Sequence, residues 1–260
     1  MDTKKVIKEA KTIELKSTSK NTFFLIHGYT GSPTDFNGLS NSLHKKFNAN
    51  VIIPRIIGHG TKISDLDKLN YEDFLKDVEG KLKKEIDKGN NIIIGGLSLG
   101  GLLALDLASK YKLKGVLNVS TSYNFKFPIN LIKFIIPLIP IKYTRKPEYN
   151  LKKRIKLGAY TYPYTHIRGF KVVAQAKRRI NKILKRITVP CLFIHYKKDN
   201  IVNYKGDKVI SNKISSKIKK YIVFPSNGEK EHNIFYSSYN KKIYELQGDF
   251  VEENNLFNSR

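Results

Sequence analysis

The stretch Gly96-Leu97-Ser98-Leu99-Gly100-Gly101 limits the folds open to this chain more than any other. It stands directly after Asn91–Gly95, an apolar run that reads as a buried strand. Directly after it, Leu99–Tyr111 is apolar nearly all round, as a helix packed on a sheet must be. A strand that becomes a helix so abruptly presses backbone against backbone, and glycine two residues either side of the serine leaves the room this needs. The turn lifts the serine hydroxyl above the carboxyl ends of the strands, where Ser98 reads as a nucleophile. The plain alternative is a glycine-rich turn that only packs a helix on a sheet. A phosphate loop does not fit, because a Walker A loop needs Gly-Lys-Ser/Thr and a dinucleotide fingerprint needs G-x-G-x-x-G.

The rest of the chain suits such a sheet. Strand-like runs occur at Thr22–His27, Val51–Pro54, Asn91–Gly95, Gly115–Val119, Cys191–Tyr196 and Lys220–Phe224. Helical periodicity fills the intervals at Pro33–Phe47, at Tyr71–Lys88 behind an N-cap at Asn70, at Leu99–Tyr111 and at about Tyr239–Glu253. This alternation predicts an α/β fold, a mostly parallel sheet flanked by helices. Between Ser122 and Arg186 the alternation breaks over a length too great for a βα connection. An inserted, mainly helical cap is therefore expected at 122–186, on a core of 1–121 and 187–260.

Composition closes off several other classes. With 260 residues, 40% of them hydrophobic, the chain has enough apolar material for one core with an insertion. Met1–Asn21 lacks an apolar h-region and Cys191 is the single cysteine, so a cytoplasmic, disulfide-free protein is expected. The apolar tract Phe125–Ile141 is broken by Lys126, Lys133, Pro128, Pro137 and Pro140, and falls short of the roughly 20 apolar residues of a bilayer span. The net charge of +26 would suit nucleic acid, yet no helix-turn-helix, zinc-finger or RNP-type motif accompanies it, so no nucleic-acid partner is expected. The histidines are scattered and lack H-x-x-x-H spacing, so neither a metal nor a cofactor is expected.

Beyond the serine turn, three further segments matter: Leu25-Ile26-His27-Gly28-Tyr29-Thr30-Gly31-Ser32-Pro33, then Gly58-His59-Gly60, then Pro190–Val202 with the region around His232. Together with Gly96–Gly101 they resemble the α/β-hydrolase carboxylesterases and bacterial monoacylglycerol lipases over nearly the whole chain. The resemblance implies a Ser-Asp-His chain order, each residue following a successive strand. His232, in the loop Ser226–His232 after the last strand, is the expected base. Asp199, followed by Asn200-Ile201-Val202 where the family places its acid, is the expected orienting carboxylate. Asp207 is its near rival and reads as a solvated carboxylate on the next helix. In the family a glycine usually shortly precedes the acid; here Tyr196-Lys197-Lys198 takes its place.

The resemblance also implies an oxyanion hole made by the amides of Leu99 and Tyr29, with Gly28 letting the backbone approach the substrate. His27 and His59 read as structural, their rings satisfying buried carbonyls. A carboxylic ester of short or medium acyl chain is the implied small-molecule substrate, with Gly28, Tyr29, Phe134 and Ile135 lining its pocket. Ordinary cap core is the other reading of the Phe125–Ile141 tract. From Lys142 to Arg186 fifteen Lys or Arg stand against one acid, Glu148. The basic amphipathic run Phe170–Ile187 reads as solvated helix, or as a cap face for peripheral contact with an anionic membrane or attraction of an acidic substrate.

Overall fold

The computed structural model describes residues 5–126, 141–229 and 231–257. Seven strands form one sheet: β1 (Ile13–Leu15), β2 (Asn21–Ile26), β3 (Asn50–Ile53), β4 (Asn91–Leu97), β5 (Gly115–Val119), β8 (Cys191–Tyr196) and β9 (Lys219–Phe224). Their spatial order is β1-β3-β2-β4-β5-β8-β9. All neighbours run parallel except β1, an antiparallel edge strand against β3. The short β6 (Tyr143–Arg145) and β7 (Tyr164–His166) pair separately as an antiparallel ribbon.

Side chains alternate across the sheet, and both faces are buried. In β2, Phe24 and Ile26 join the core that also holds Phe74, Val78 and Leu103, whereas Phe23 and Leu25 join the one holding Leu39, Leu43 and Phe250. A two-residue side-chain period with apolar partners on each face yields near-continuous hydrophobic strands. The first face carries α2 (Tyr71–Asp87), α3 (Leu99–Ala108) and α5 (Gly169–Ile183); the second carries α1 (Leu39–Phe47) and α7 (Asn240–Glu253). The Asn70 side chain accepts from Glu72 N–H and so caps α2 as the sequence suggests.

Every residue of α3 is buried, because the sheet lies beneath it and α5 crosses above. Its one charged residue, Asp106, is answered by Arg179 of α5, whose Nε donates at 2.5 Å, and by the Tyr71 hydroxyl at 3.2 Å. The interval between β5 and β8 holds the β6–β7 ribbon, α4 (Glu148–Lys156) and α5 among its described residues. Three-residue strands carry too little period-two pattern to be read from sequence. The last helix before β9 is α6 (Lys205–Lys213).

Candidate active site

Ser98 alone separates β4 from α3, at φ 58° and ψ −116°, a conformation that L residues adopt at a cost of about 1–3 kcal/mol. The surroundings impose it. Ser98 N–H donates to Val119 O at 3.1 Å, and its carbonyl accepts from Gly101 and Ser122. A Cβ on Gly96 would lie 2.2 Å from the Gly100 carbonyl, and one on Gly100 would lie 1.9 Å from Ile26 O. The glycines of the motif are therefore a packing requirement of strand against helix.

The structure brings Ser98, His232 and Asp199 into one hydrogen-bonded line. His232 Nε2 is 2.8 Å from Ser98 Oγ, and His232 Nδ1 is 2.7 Å from Asp199 Oδ2. An ionised carboxylate only accepts, so Nδ1 carries the proton and Nε2 is left to accept from the serine hydroxyl. Asp199 is wholly buried, and its Oδ1 accepts from the amides of Ile201 and Val202 at 2.8 Å each. Burial alone would raise its pKa, but the charges and hydrogen bonds of His232 and His195 hold it well below the ordinary carboxylate range.

Three further residues that sequence reasoning missed complete this arrangement. His195 lies in β8 with Nε2 at 3.2 Å from Asp199 Oδ2 and Nδ1 at 2.7 Å from Asp207 Oδ2. All three side chains are fully buried, so Asp207 is not the solvated carboxylate that its helical position suggested. Burial disfavours charge on His195, yet the hydrogen bonds and charges of Asp199 and Asp207 outweigh it and lift the imidazole to about 9. Tyr196, standing where the family has glycine, bonds Asn227 Oδ1 and Glu229 O at 2.6 and 2.8 Å and so ties the end of β8 to the His232 loop. Ser122 places its Oγ 2.6 Å from that of Ser98.

His27 and His59 are structural, as expected. Each imidazole donates from Nδ1 to a carbonyl, Gly28 O or Ile57 O, and accepts at Nε2 from the amide of Ile56 or Thr30. Burial lowers His27 to about 3 and His59 well below its ordinary value. Both are neutral when folded and would charge at about 6.5 when unfolded, so their contribution is present above that pH and lost as pH falls toward 3. His195 has the opposite sign: its contribution is full below 6.5 and disappears as pH rises through about 9. Denaturant unfolding at pH 5 is therefore expected to take up at least about two protons per molecule. A stability that does not vary with pH between 6.5 and 4.5 would contradict this, in potentiometric or slope measurements alike.

The His27–Gly28 turn carries Tyr29 beside Ser98. Neither the Tyr29 nor the Leu99 amide donates to a protein acceptor among the described residues, and both residues line the cavity that contains Ser98. That cavity measures about 220 Å³. Its lining includes apolar Phe125, Phe170 and Val173 and polar Lys146, Asn150 and Arg154. Arg154 donates to buried Asp35 at 2.8 Å, and the Lys146 ammonium donates to Thr161 Oγ1 at 2.6 Å. Burial, aided by Arg154, brings Lys146 down to about 7. Phe134 and Ile135 lie outside the described residues. Among the described residues, no group of three or more His, Cys, Asp or Glu is placed to hold a metal. No helix among them is long and apolar enough to cross a membrane.

A parallel sheet whose central strand delivers a strained serine to a histidine and a carboxylate defines a hydrolase-type site. The chain belongs to the alpha/beta hydrolase family, whose profile it matches over residues 23–239. It is 36% identical over 90 residues to the thermostable monoacylglycerol lipase of Bacillus sp. (strain H-257), a match spanning 34% of each chain. It is 21% identical over 205 residues to a carboxylesterase of Bacillus subtilis (strain 168), covering 78% of this chain and 82% of that one. Among solved structures, a metagenome-derived lipolytic enzyme from a study of LipS and LipT superposes with a TM-score of 0.81 at 20% identity. That match covers 96% of this chain and all of the other.

Proposed function

We propose that this chain is a serine esterase that cleaves carboxylic esters of short or medium acyl chain, monoacylglycerols among them. The observation that carries the reading is the unbroken line from Ser98 Oγ through His232 to Asp199 at 2.8 and 2.7 Å, opening on the cavity. His232 takes the Ser98 proton as the hydroxyl oxygen attacks the acyl carbon, and the Tyr29 and Leu99 amides receive the oxyanion. The imidazolium returns the proton to the leaving alcohol. Water then attacks the acyl-enzyme by the same exchange and releases the acid.

The acyl chain lies against Phe125, Phe170 and Val173 under a cap that includes the β6–β7 ribbon, α4 and α5, while Lys146, Asn150 and Arg154 face the alcohol. The small cavity suits a single acyl chain. Relatives named monoacylglycerol lipase and carboxylesterase support the same class of bond. A panel of p-nitrophenyl esters and monoacylglycerols of graded chain length tests it. Turnover should peak at short or medium chains. Turnover of the corresponding thioesters or amides in preference to every ester would replace the proposed bond with another.

A further inference from the structure

Six large apolar side chains stand exposed among the described residues, and five of them fall between 141 and 164: Ile141, Tyr149, Ile155, Leu157 and Tyr164. Ile155 is 73% exposed and Leu157 51%, and it is the gathering of five such side chains in one short stretch that marks an interaction surface. Helix α4, which carries Tyr149 and Ile155, buries none of its residues, whereas every other α-helix described here buries several. One side of α4 is nonetheless occupied: Asn150, Leu151 and Arg154 line the cavity that holds Ser98. Its other side points away from the protein.

The same short stretch is strongly basic. From Ile141 to Gly158 it carries Lys142, Arg145, Lys146, Lys152, Lys153, Arg154 and Lys156 against Glu148 alone. Lys142 pairs with Asp67, Arg154 with Asp35, and Lys152 with Glu148 across a well-solvated 3.1 Å contact. Arg145, Lys153 and Lys156 have no carboxylate partner among the described residues, and all are exposed. Exposed apolar side chains interleaved along the chain with cations that have no carboxylate partner among the described residues complement an interface that is apolar within and anionic at its surface, which is the character of an anionic lipid surface.

Helix α5, the basic amphipathic run of the sequence, has a different character. Val172, Val173, Ala176, Ile180 and Ile183 are buried in the core, and Arg179 is committed to Asp106. Its exposed Lys182, and Lys185 and Arg186 just beyond it, supply charge in a run that carries no large exposed apolar side chain of its own.

We infer that the outer side of α4, with Leu157 and the β6–β7 ribbon, is a docking surface for an anionic lipid aggregate. Ile155 and Leu157 enter the boundary between headgroups and acyl chains while Lys152, Lys153 and Lys156 meet the phosphates. Because the opposite side of α4 lines the cavity, docking brings the lipid within one helix of the site. The inference goes beyond the proposed ester cleavage, since binding to lipid does not require Ser98 to react.

Cosedimentation with vesicles of phosphatidylglycerol and phosphatidylcholine, compared with phosphatidylcholine alone at low and high salt, tests it in the Ser98→Ala protein, so that hydrolysis plays no part. Binding to the anionic vesicles is expected and should weaken with salt. Ile155→Ser with Leu157→Ser should lower the partition coefficient about tenfold or more at unchanged net charge. Lys152→Gln, Lys153→Gln and Lys156→Gln together should lower it at least about tenfold. The comparison triple Lys182→Gln, Lys185→Gln and Arg186→Gln removes the same charge from the α5 end and should lower it far less. Each set, placed in the Ser98 protein, should keep its turnover of a soluble ester, which shows that the fold survives. If the two triples fall equally while the serine pair changes nothing, binding reflects the net charge of +26 and the assigned surface is wrong. Absence of binding to anionic vesicles overturns it outright.

Discussion

Ser98→Ala is expected to lower ester turnover at least about a thousandfold, since loss of the attacking member of a hydrogen-bonded triad leaves only the oxyanion donors and binding. The same change should leave the fold intact. Alanine keeps the Cβ that sits among Gly28, Leu97 and Ser122, and loses only the hydroxyl that bonds His232 and Ser122. The backbone strain at φ 58° remains, because alanine resists that region as serine does. Ser98→Gly should be equally inactive but relieved of that strain, with a melting temperature at or above that of Ser98→Ala. A fluorophosphonate probe should label the wild type at Ser98 and neither variant. Labelling that persists in Ser98→Ala, or none in the wild type, places the nucleophile elsewhere.

The sheet was largely legible because its central strands are buried on both faces and read as continuous apolar runs. Gly115–Val119 and Cys191–Tyr196 coincide with β5 and β8 to the residue. Where the sequence reading fell short, the missing information was tertiary. The edge strand β1 has three residues, with Glu14 exposed between partly buried neighbours, and only its pairing with β3 makes it a strand. Leu99–Tyr111 ends at Ala108, where Ser109 folds its hydroxyl back onto Asp106 O.

At the site, Ser98 could be named from its local motif, and Asp199 and His232 from the chain order that the family resemblance implies. His195, Ser122 and Tyr196 could not, because what marks them is the group across the fold that each one meets. Asp207 shows the limit most clearly. A carboxylate in the first turn of a polar helix is solvated in most proteins, and nothing near it in the sequence announces that His195 will reach it from β8. The loss of the usual glycine before Asp199 likewise looks like a defect until Tyr196 is seen fastening the His232 loop.

Asp199→Asn and Asp207→Asn should therefore both impair turnover, but in different ways. Asp199 accepts directly from His232, and its amide analogue would present an N–H where an acceptor is needed, favouring the wrong imidazole tautomer. A fall of about ten-thousandfold in kcat, with little change in KM, is the expectation for such a substitution. Asp207 acts through His195. With both carboxylates present, His195 is held as a cation between them, 3.2 Å from the Asp199 oxygen that also receives His232. Removing the Asp207 charge takes away one of the two carboxylates that raise His195 and leaves Asp199 alone to oppose burial. His195 still bonds Asp199 through Nε2, so Asp199 keeps its place against His232 and kcat should fall far less than in Asp199→Asn. His195→Gln, which removes the imidazole between the two carboxylates, should cost turnover to a similarly modest degree. Equal losses of kcat in Asp207→Asn and Asp199→Asn at every pH would mean that the orienting acid is not Asp199 alone.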